Sequence, residues 1–137
     1  LFLIYLLKNK NMYPAHYLYS KEHEWLRVEG DVAYIGITDF AQRELGDVVY
    51  VESVAEGRTV DAGEEFGTIE SVKAVSEIYM PVNAKILAFN QALEDQPELI
   101  NDDPHGEGWI VKIKILGDTS SLLNASAYEG YISGEEA

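Results

Sequence analysis

At 137 residues the chain is about one domain long, and 47% hydrophobic against 25% charged residues is the balance of an ordinary folded chain, not of a disordered tail. Its 24 acidic and 10 basic side chains leave a formal net charge of −14, which repels phosphate backbones and anionic lipid heads. That charge argues against nucleic acid and membrane surfaces as partners, and the lack of cysteine excludes disulfide frameworks, thiolate nucleophiles and thiolate metal sites.

Leu1 to Leu7 are all apolar, but the run is far short of the roughly 20 residues that span a bilayer. Lys8 and Lys10 follow the run, whereas a secretory signal places positive charge before it, and no Arg-rich amphipathic pattern suggests a transit peptide. Residues 1–14 are therefore expected to be an extension, disordered or non-native, with Met12 the natural start and 15–137 the folded domain. N-terminal sequencing of protein expressed from its own gene checks that start.

Short β-type runs bounded by Gly, Asp or Asn come next. Strands are predicted over Glu24–Val28 and Val32–Ile37, followed by a helix capped by Thr38 or Asp39, running through Ala41 to Leu45 and ended by Gly46. Further strands are predicted over Val48–Glu52, Glu65–Glu70, Ala74–Met80 and Ala84–Phe89, and Pro97 opens a single helical turn through Ile100. The last strand, Trp109–Ile115, alternates most clearly, with Trp109, Val111, Ile113 and Ile115 on one face and Lys112 and Lys114 on the other. From Thr119 to Ile132 one or two helices are expected, interrupted near Asn124 and Gly130. The class is mostly β with small helical additions. A faint duplication flanks Lys73: Val48–Glu52 leads to Glu65–Glu70 upstream as Ala84–Phe89 leads to Trp109–Ile115 downstream, which places Lys73 on the hairpin joining two halves.

Catalytic signatures fail one after another. There is no G-x-S-x-G elbow, phosphate-binding loop or H-E-x-x-H zinc helix, and His16, His23 and His105 share no metal-ligand spacing, so surface or capping roles are expected for them. Asn101 to Gly106 places oxygen-bearing side chains before a glycine like a calcium loop, but the position that needs a bidentate carboxylate is Lys112. What remains is Lys73, set between the small apolar residues Val72 and Ala74, with Glu70 and Glu77 nearby. Small neighbours on a stiff turn give an attaching enzyme access to the amine; a solvated turn lysine is the bland alternative.

Seven separated motifs decide between them. His23-Glu24-Trp25, Ile35-Gly36-Ile37-Thr38 with Ala41-Gln42, Leu45-Gly46-Asp47, Glu70-Ser71-Val72-Lys73-Ala74, Pro81-Val82, Pro97-Glu98-Leu99-Ile100-Asn101, and Gly108-Trp109 leading to Lys112-Ile113 occur in this order. From about Tyr19 to Ile132 the sequence resembles the H proteins of the glycine cleavage system. The resemblance implies a lipoyl-type barrel-sandwich hybrid with short peripheral and C-terminal helices, and lipoic acid attached covalently to Lys73 as lipoyl-lysine. It implies a non-catalytic, monomeric carrier shuttling an aminomethyl group from the pyridoxal-phosphate enzyme glycine decarboxylase to a tetrahydrofolate-dependent aminomethyltransferase. The reduced arm then goes to the FAD enzyme dihydrolipoamide dehydrogenase, so the hard chemistry lies in cofactors and partners. By the same resemblance Glu24 contacts the aminomethyl nitrogen, and Glu70, Glu77 and Gly57 serve recognition by the lipoate-attaching enzyme. Glu77 stands where the family often has aspartate. The compartment implied is the bacterial cytoplasm, or the mitochondrial matrix in a eukaryote.

Rival carriers fit less well. Lipoyl domains of 2-oxoacid dehydrogenases usually show Asp-Lys-Ala, and biotin carriers show methionines around the lysine, whereas Val72 and Ala74 flank it here. An H-like lipoyl donor to other lipoyl-dependent complexes would use the same arm without glycine turnover.

Overall fold

The computed structural model describes residues 12–136. In chain order the elements are β1 (Leu18–Tyr19), β2 (Glu24–Glu29), β3 (Val32–Ile37), α1 (Asp39–Leu45), β4 (Val48–Ser53), β5 (Thr59–Val60), β6 (Glu65–Ser71) and β7 (Val75–Tyr79). β8 (Ala84–Phe89), α2 (Ala92–Asp95), α3 (Leu99–Asp102), β9 (Val111–Ile115) and α4 (Ala125–Glu136) follow. The strands form a six-stranded sheet in the order β1-β2-β3-β9-β8-β5 and a three-stranded sheet in the order β4-β6-β7. The sheets do not close into a barrel, and the mostly β arrangement with short helices is that of a barrel-sandwich hybrid.

Strand alternation decides which side chains meet. On β2, Leu26 pairs with Ile35 and faces inward, joining Val111 and Ile113 of β9 in a core completed by Val51, Phe66, Ile69 and Ile78 of the smaller sheet. Trp25 and Arg27, one residue out of phase, point to the other face, opposite Gly36 and Tyr34. There a second cluster of Tyr13, Tyr17, Tyr19, Trp25, Phe40, Tyr128 and Ile132 is built under α4. The Trp25 indole lies flat over Gly36, where an added Cβ would sit 2.6 Å from the ring, so glycine is required by close approach. Its Nε1 donates to the carbonyls of Ile37 and Pro104 at 3.0 and 2.9 Å, which satisfies the polar atom of a fully buried ring.

The seven predicted strands form within a residue or two of their expected bounds, and Thr38 and Gly46 flank α1 as cap residues. β1, β5 and α2 were not foreseen, because two to four residues carry no periodic signal. Two expectations are corrected. Trp109 does not share a face with Val111: Ile110 enters the core instead, its N–H donating to the Ile35 carbonyl at 2.7 Å, and Trp109 packs edge-on against Tyr34 on the outer face at 5.0 Å. The Asn90 side-chain amide holds this irregular backbone by donating to the Glu107 and Trp109 carbonyls, so regular alternation begins only at Val111. The C-terminal helix starts after Asn124, whose Oδ1 accepts from Ala127 N–H, but Gly130 does not interrupt it. A helical glycine costs about 1 kcal/mol against alanine, less than burial of Tyr128 and Ile132 returns.

Within the segment read as an extension, Tyr13 is only 6% exposed and belongs to the second cluster. The remainder of that reading, residues 1–11, lies outside the described residues.

Candidate functional site

The β6–β7 hairpin ends in Ser71-Val72-Lys73-Ala74. Glu70 and Val75 are its last paired residues, and Ser71 N–H donates to the Ala74 carbonyl at 2.8 Å. The Ser71 hydroxyl oxygen accepts from Lys73 N–H at 3.3 Å and Ala74 N–H at 3.1 Å, and Val72 N–H donates to the Asp47 carbonyl at 3.0 Å. The turn is thus clamped from within and from the α1–β4 connection, although Val72, Lys73 and Ala74 are all exposed. Among the described residues the Lys73 ammonium has no hydrogen-bond or ion-pair partner.

The stem of Lys73 crosses Gly46. That residue has φ +84, and a Cβ on it would stand 3.3 Å from Lys73 Cε, so both backbone conformation and room favour glycine. Asn101 fixes this crossing: its Nδ2 donates to the Gly46 carbonyl and to Gln42, while its Oδ1 accepts from Val48 N–H. The segment that superficially resembles a calcium loop therefore begins with a structural amide.

Beside the turn opens a cleft of about 690 Å³ between α1, the β1–β2 turn and β7. Ala74 and Val75 form one edge, Ile37, Phe40, Leu45, Ile69 and Ile78 make apolar walls, and Glu22, Glu24, Glu44 and Glu77 bring carboxylates; no Lys or Arg lines it. Such a pocket suits an extended apolar chain with a cationic end.

Glu24 is 2% exposed, and burial pushes its carboxyl up to about 7, while the Ser20 hydroxyl and the Tyr79 backbone amide favour the charged form. The inward aim of Glu24 comes from the β1–β2 turn. Ser20 N–H donates to the Glu24 carbonyl and His23 N–H to the Ser20 carbonyl, a three-residue hairpin loop whose last residue is left-handed. That residue is His23 at φ 74, the one non-glycine with positive φ among the described residues. Its ring lies against Phe40 at 4.8 Å, and its Nδ1 is 2.7 Å from the Tyr128 hydroxyl, which is also 2.7 Å from the Thr38 hydroxyl. Tyr128, fully buried on α4, thereby ties the cleft turn to the cap of α1. His105 is a cap of the same helix, its Nε2 accepting from Asp39 N–H at 3.0 Å, and burial lowers its pKa.

Of the residues singled out in the sequence, Lys73, Glu24 and Glu77 come together at this cleft and its rim. Glu70 lies apart on the exposed face of β6, paired with Tyr50 and Val75. Gly57, at φ +86, lies in the turn between β4 and β5, where its N–H donates to the Ile86 carbonyl at 2.8 Å; it does not line the cleft. Sequence reasoning missed Ser20, Glu22, Glu44 and Tyr128. Ser20 had a signal, standing four residues before Glu24 across a turn; nothing local marks Tyr128.

The sequence model of the family described as Glycine cleavage H-protein matches residues 17–135. The chain belongs to that family. It is 50% identical over 124 residues to the glycine cleavage system H protein of Bacteroides thetaiotaomicron, covering 89% of this chain and 98% of the relative. It is 53% identical over 122 residues to the H protein of Herpetosiphon aurantiacus, covering 89% and 95%. A crystal structure of a glycine cleavage system H protein from Mycobacterium marinum superposes with a TM-score of 0.79 at 37% identity, over 88% of this chain and 98% of that one. Family membership makes this chain a non-catalytic carrier subunit and supports a lipoyl-carrier role in glycine cleavage. No helix among the described residues is long and apolar enough to cross a membrane.

Proposed function

We propose that Lys73 is the lipoyl attachment residue and that the adjoining cleft receives the loaded end of the arm, with Glu24 against the aminomethyl nitrogen. One observation carries the reading: an exposed lysine, its ammonium without a partner among the described residues, stands on a clamped turn at the edge of a cleft whose apolar walls end in buried Glu24. When attached, the lipoyl arm supplies the sulfur that carries an aminomethyl group from glycine decarboxylase to aminomethyltransferase and is reoxidised by dihydrolipoamide dehydrogenase. The chain's own residues present, shelter and release that arm. Ser71 and Asp47 hold the turn outward, Gly46 leaves room for the lysine stem, and the apolar walls exclude water from the resting end. A carboxylate in so buried a setting attracts a protonated amine more strongly than one in water.

Glu70 and Glu77 stand on the exposed strands flanking Lys73, where a lipoate-attaching enzyme gripping the turn would read them; Gly57, in the turn between β4 and β5, would serve the same recognition from outside the Lys73 hairpin. The carrier domain is taken as 15–137 with Met12 to Pro14 docked upon it, working as a monomer in the bacterial cytoplasm.

Intact-mass measurement of native protein should show one lipoyl addition, and Lys73→Arg should remove it. An addition that survives Lys73→Arg sinks the assignment. Reconstitution with the three partner enzymes, glycine and tetrahydrofolate should consume glycine; lipoylated protein that supports no glycine turnover would instead be a donor to other complexes.

A further inference from the structure

The carboxyl of Glu24 faces a difficulty that the cleft itself creates. Glu22 and His23 on the β1–β2 turn, Glu44 on α1 and Glu77 on β7 are the titratable groups lining the space around it, and no Lys or Arg is among them. Burial and the neighbouring carboxylates both favour the protonated form, whereas a cationic amine needs the charged one. Something must hold the charge without an opposite charge to do it.

Resting on the cleft reading above, we propose that Ser20 is a positioning residue for the aminomethyl contact: its hydroxyl favours the charged form of Glu24 and orients it to receive the amine. Ser20 Oγ donates to Glu24 Oε1 at 2.6 Å, a length typical of a hydroxyl bound to a carboxylate, and accepts from Glu24 N–H at 3.0 Å. This reciprocal pair fixes the side chain against its own backbone. Both residues are buried, at 8% and 2% exposure, so water competes little for either bond. Oε1 is thereby occupied, the Tyr79 backbone amide also favours the charged carboxylate, and no side chain of the described residues bonds Oε2. Ser20 itself is not among the residues lining the cleft, so it acts through Glu24 and not on the arm.

The test separates positioning from mere packing by reading the titration of one carboxyl. Carbon-13 NMR of carboxyl-labelled glutamate on the full-length chain, with the Glu24 signal assigned by its loss in Glu24→Gln, gives the midpoint directly. Ser20→Ala should raise it by about one pH unit and Ser20→Thr should restore it. Ser20→Cys, near the size of serine but a weak donor, should behave as alanine does and covers the case in which the alanine variant folds poorly. On lipoylated protein loaded with the aminomethyl group, Ser20→Ala should release it several-fold faster at neutral pH. The difference should shrink at alkaline pH, where Glu24 ionises unaided. An unmoved midpoint in both Ser20→Ala and Ser20→Cys, with Glu24→Gln still speeding release, overturns the role of Ser20 alone. Release unchanged by Glu24→Gln removes the Glu24 contact itself, and the role of Ser20 with it.

Discussion

The larger sheet is covered on both faces over β1 to β3, by the shared core on one side and by α4 with its aromatic cluster on the other, whereas the smaller sheet is covered on one face only. Its outer face carries Tyr50, Glu52 and Glu70 in the open, and Val75 and Glu77 on the edge strand β7 are exposed beside the cleft. The two regions obey different rules. In the first, each side chain is chosen by what it must fill, as Trp25 and Gly36 show; in the second, small and charged residues leave the turn at Lys73 accessible. The cleft lies where the two meet, since β2 supplies Glu24 and β7 supplies Glu77.

The largest effect should come from the covered region. Trp25→Ala removes a fully buried ring and leaves its cavity between Gly36 and the second cluster, at an expected cost of about 3–5 kcal/mol in urea unfolding. A loss under about 1 kcal/mol would mean that the second cluster is an ornament of the fold and not part of it.

That contrast also explains what the sequence made legible. The long strands, α1 with Thr38 and Gly46, and the Lys73 turn were readable because alternation, capping and turn chemistry are local properties. The two-residue strands were not, and the phase slip at Ile110 depends on Asn90, about twenty residues away in sequence and a partner only once β8 and β9 pair. Within the site, Lys73, Glu24 and Glu77 were named from motifs. The bridge from Tyr128 to His23 and Thr38 joins residues some ninety or more positions apart, which no periodicity encodes.

Two buried titratable groups sharpen the comparison by pulling stability in opposite directions with pH. Glu24, raised from 4.5 to about 7, contributes stability that is fully present below pH 4.5 and lost as pH rises through about 7. The loss is on the order of 3 kcal/mol, an upper figure for a carboxyl that keeps a hydroxyl donor. Glu24→Gln should therefore flatten that fall and be more stable than the parent above pH 7, measured by urea midpoints across the range. Equal stability of the two proteins above pH 7 would show that the buried charge is fully compensated.

His105 slopes the other way. As a neutral acceptor at the start of α1 its pKa lies below 6.5, so its contribution is present above pH 6.5 and is lost as pH falls through the depressed value. His105→Gln should lose part of that capping at neutral pH and weaken the acid dependence, read in the same titration series. Unchanged acid dependence would assign the acid lability to other groups.

The smallest effect belongs to the open region. Lys73 contributes a stem lying over Gly46 and an ammonium with no partner among the described residues, and the turn beneath it is held by Ser71 and Asp47 through backbone atoms that any side chain at this position leaves in place. Lys73→Arg keeps the charge and most of the stem, so urea unfolding should shift by no more than about 0.5 kcal/mol while lipoylation is lost. The two readouts must part company if the residue exists to be reached. A variant that lost stability and modification together would place Lys73 with Trp25, among residues chosen for what they fill.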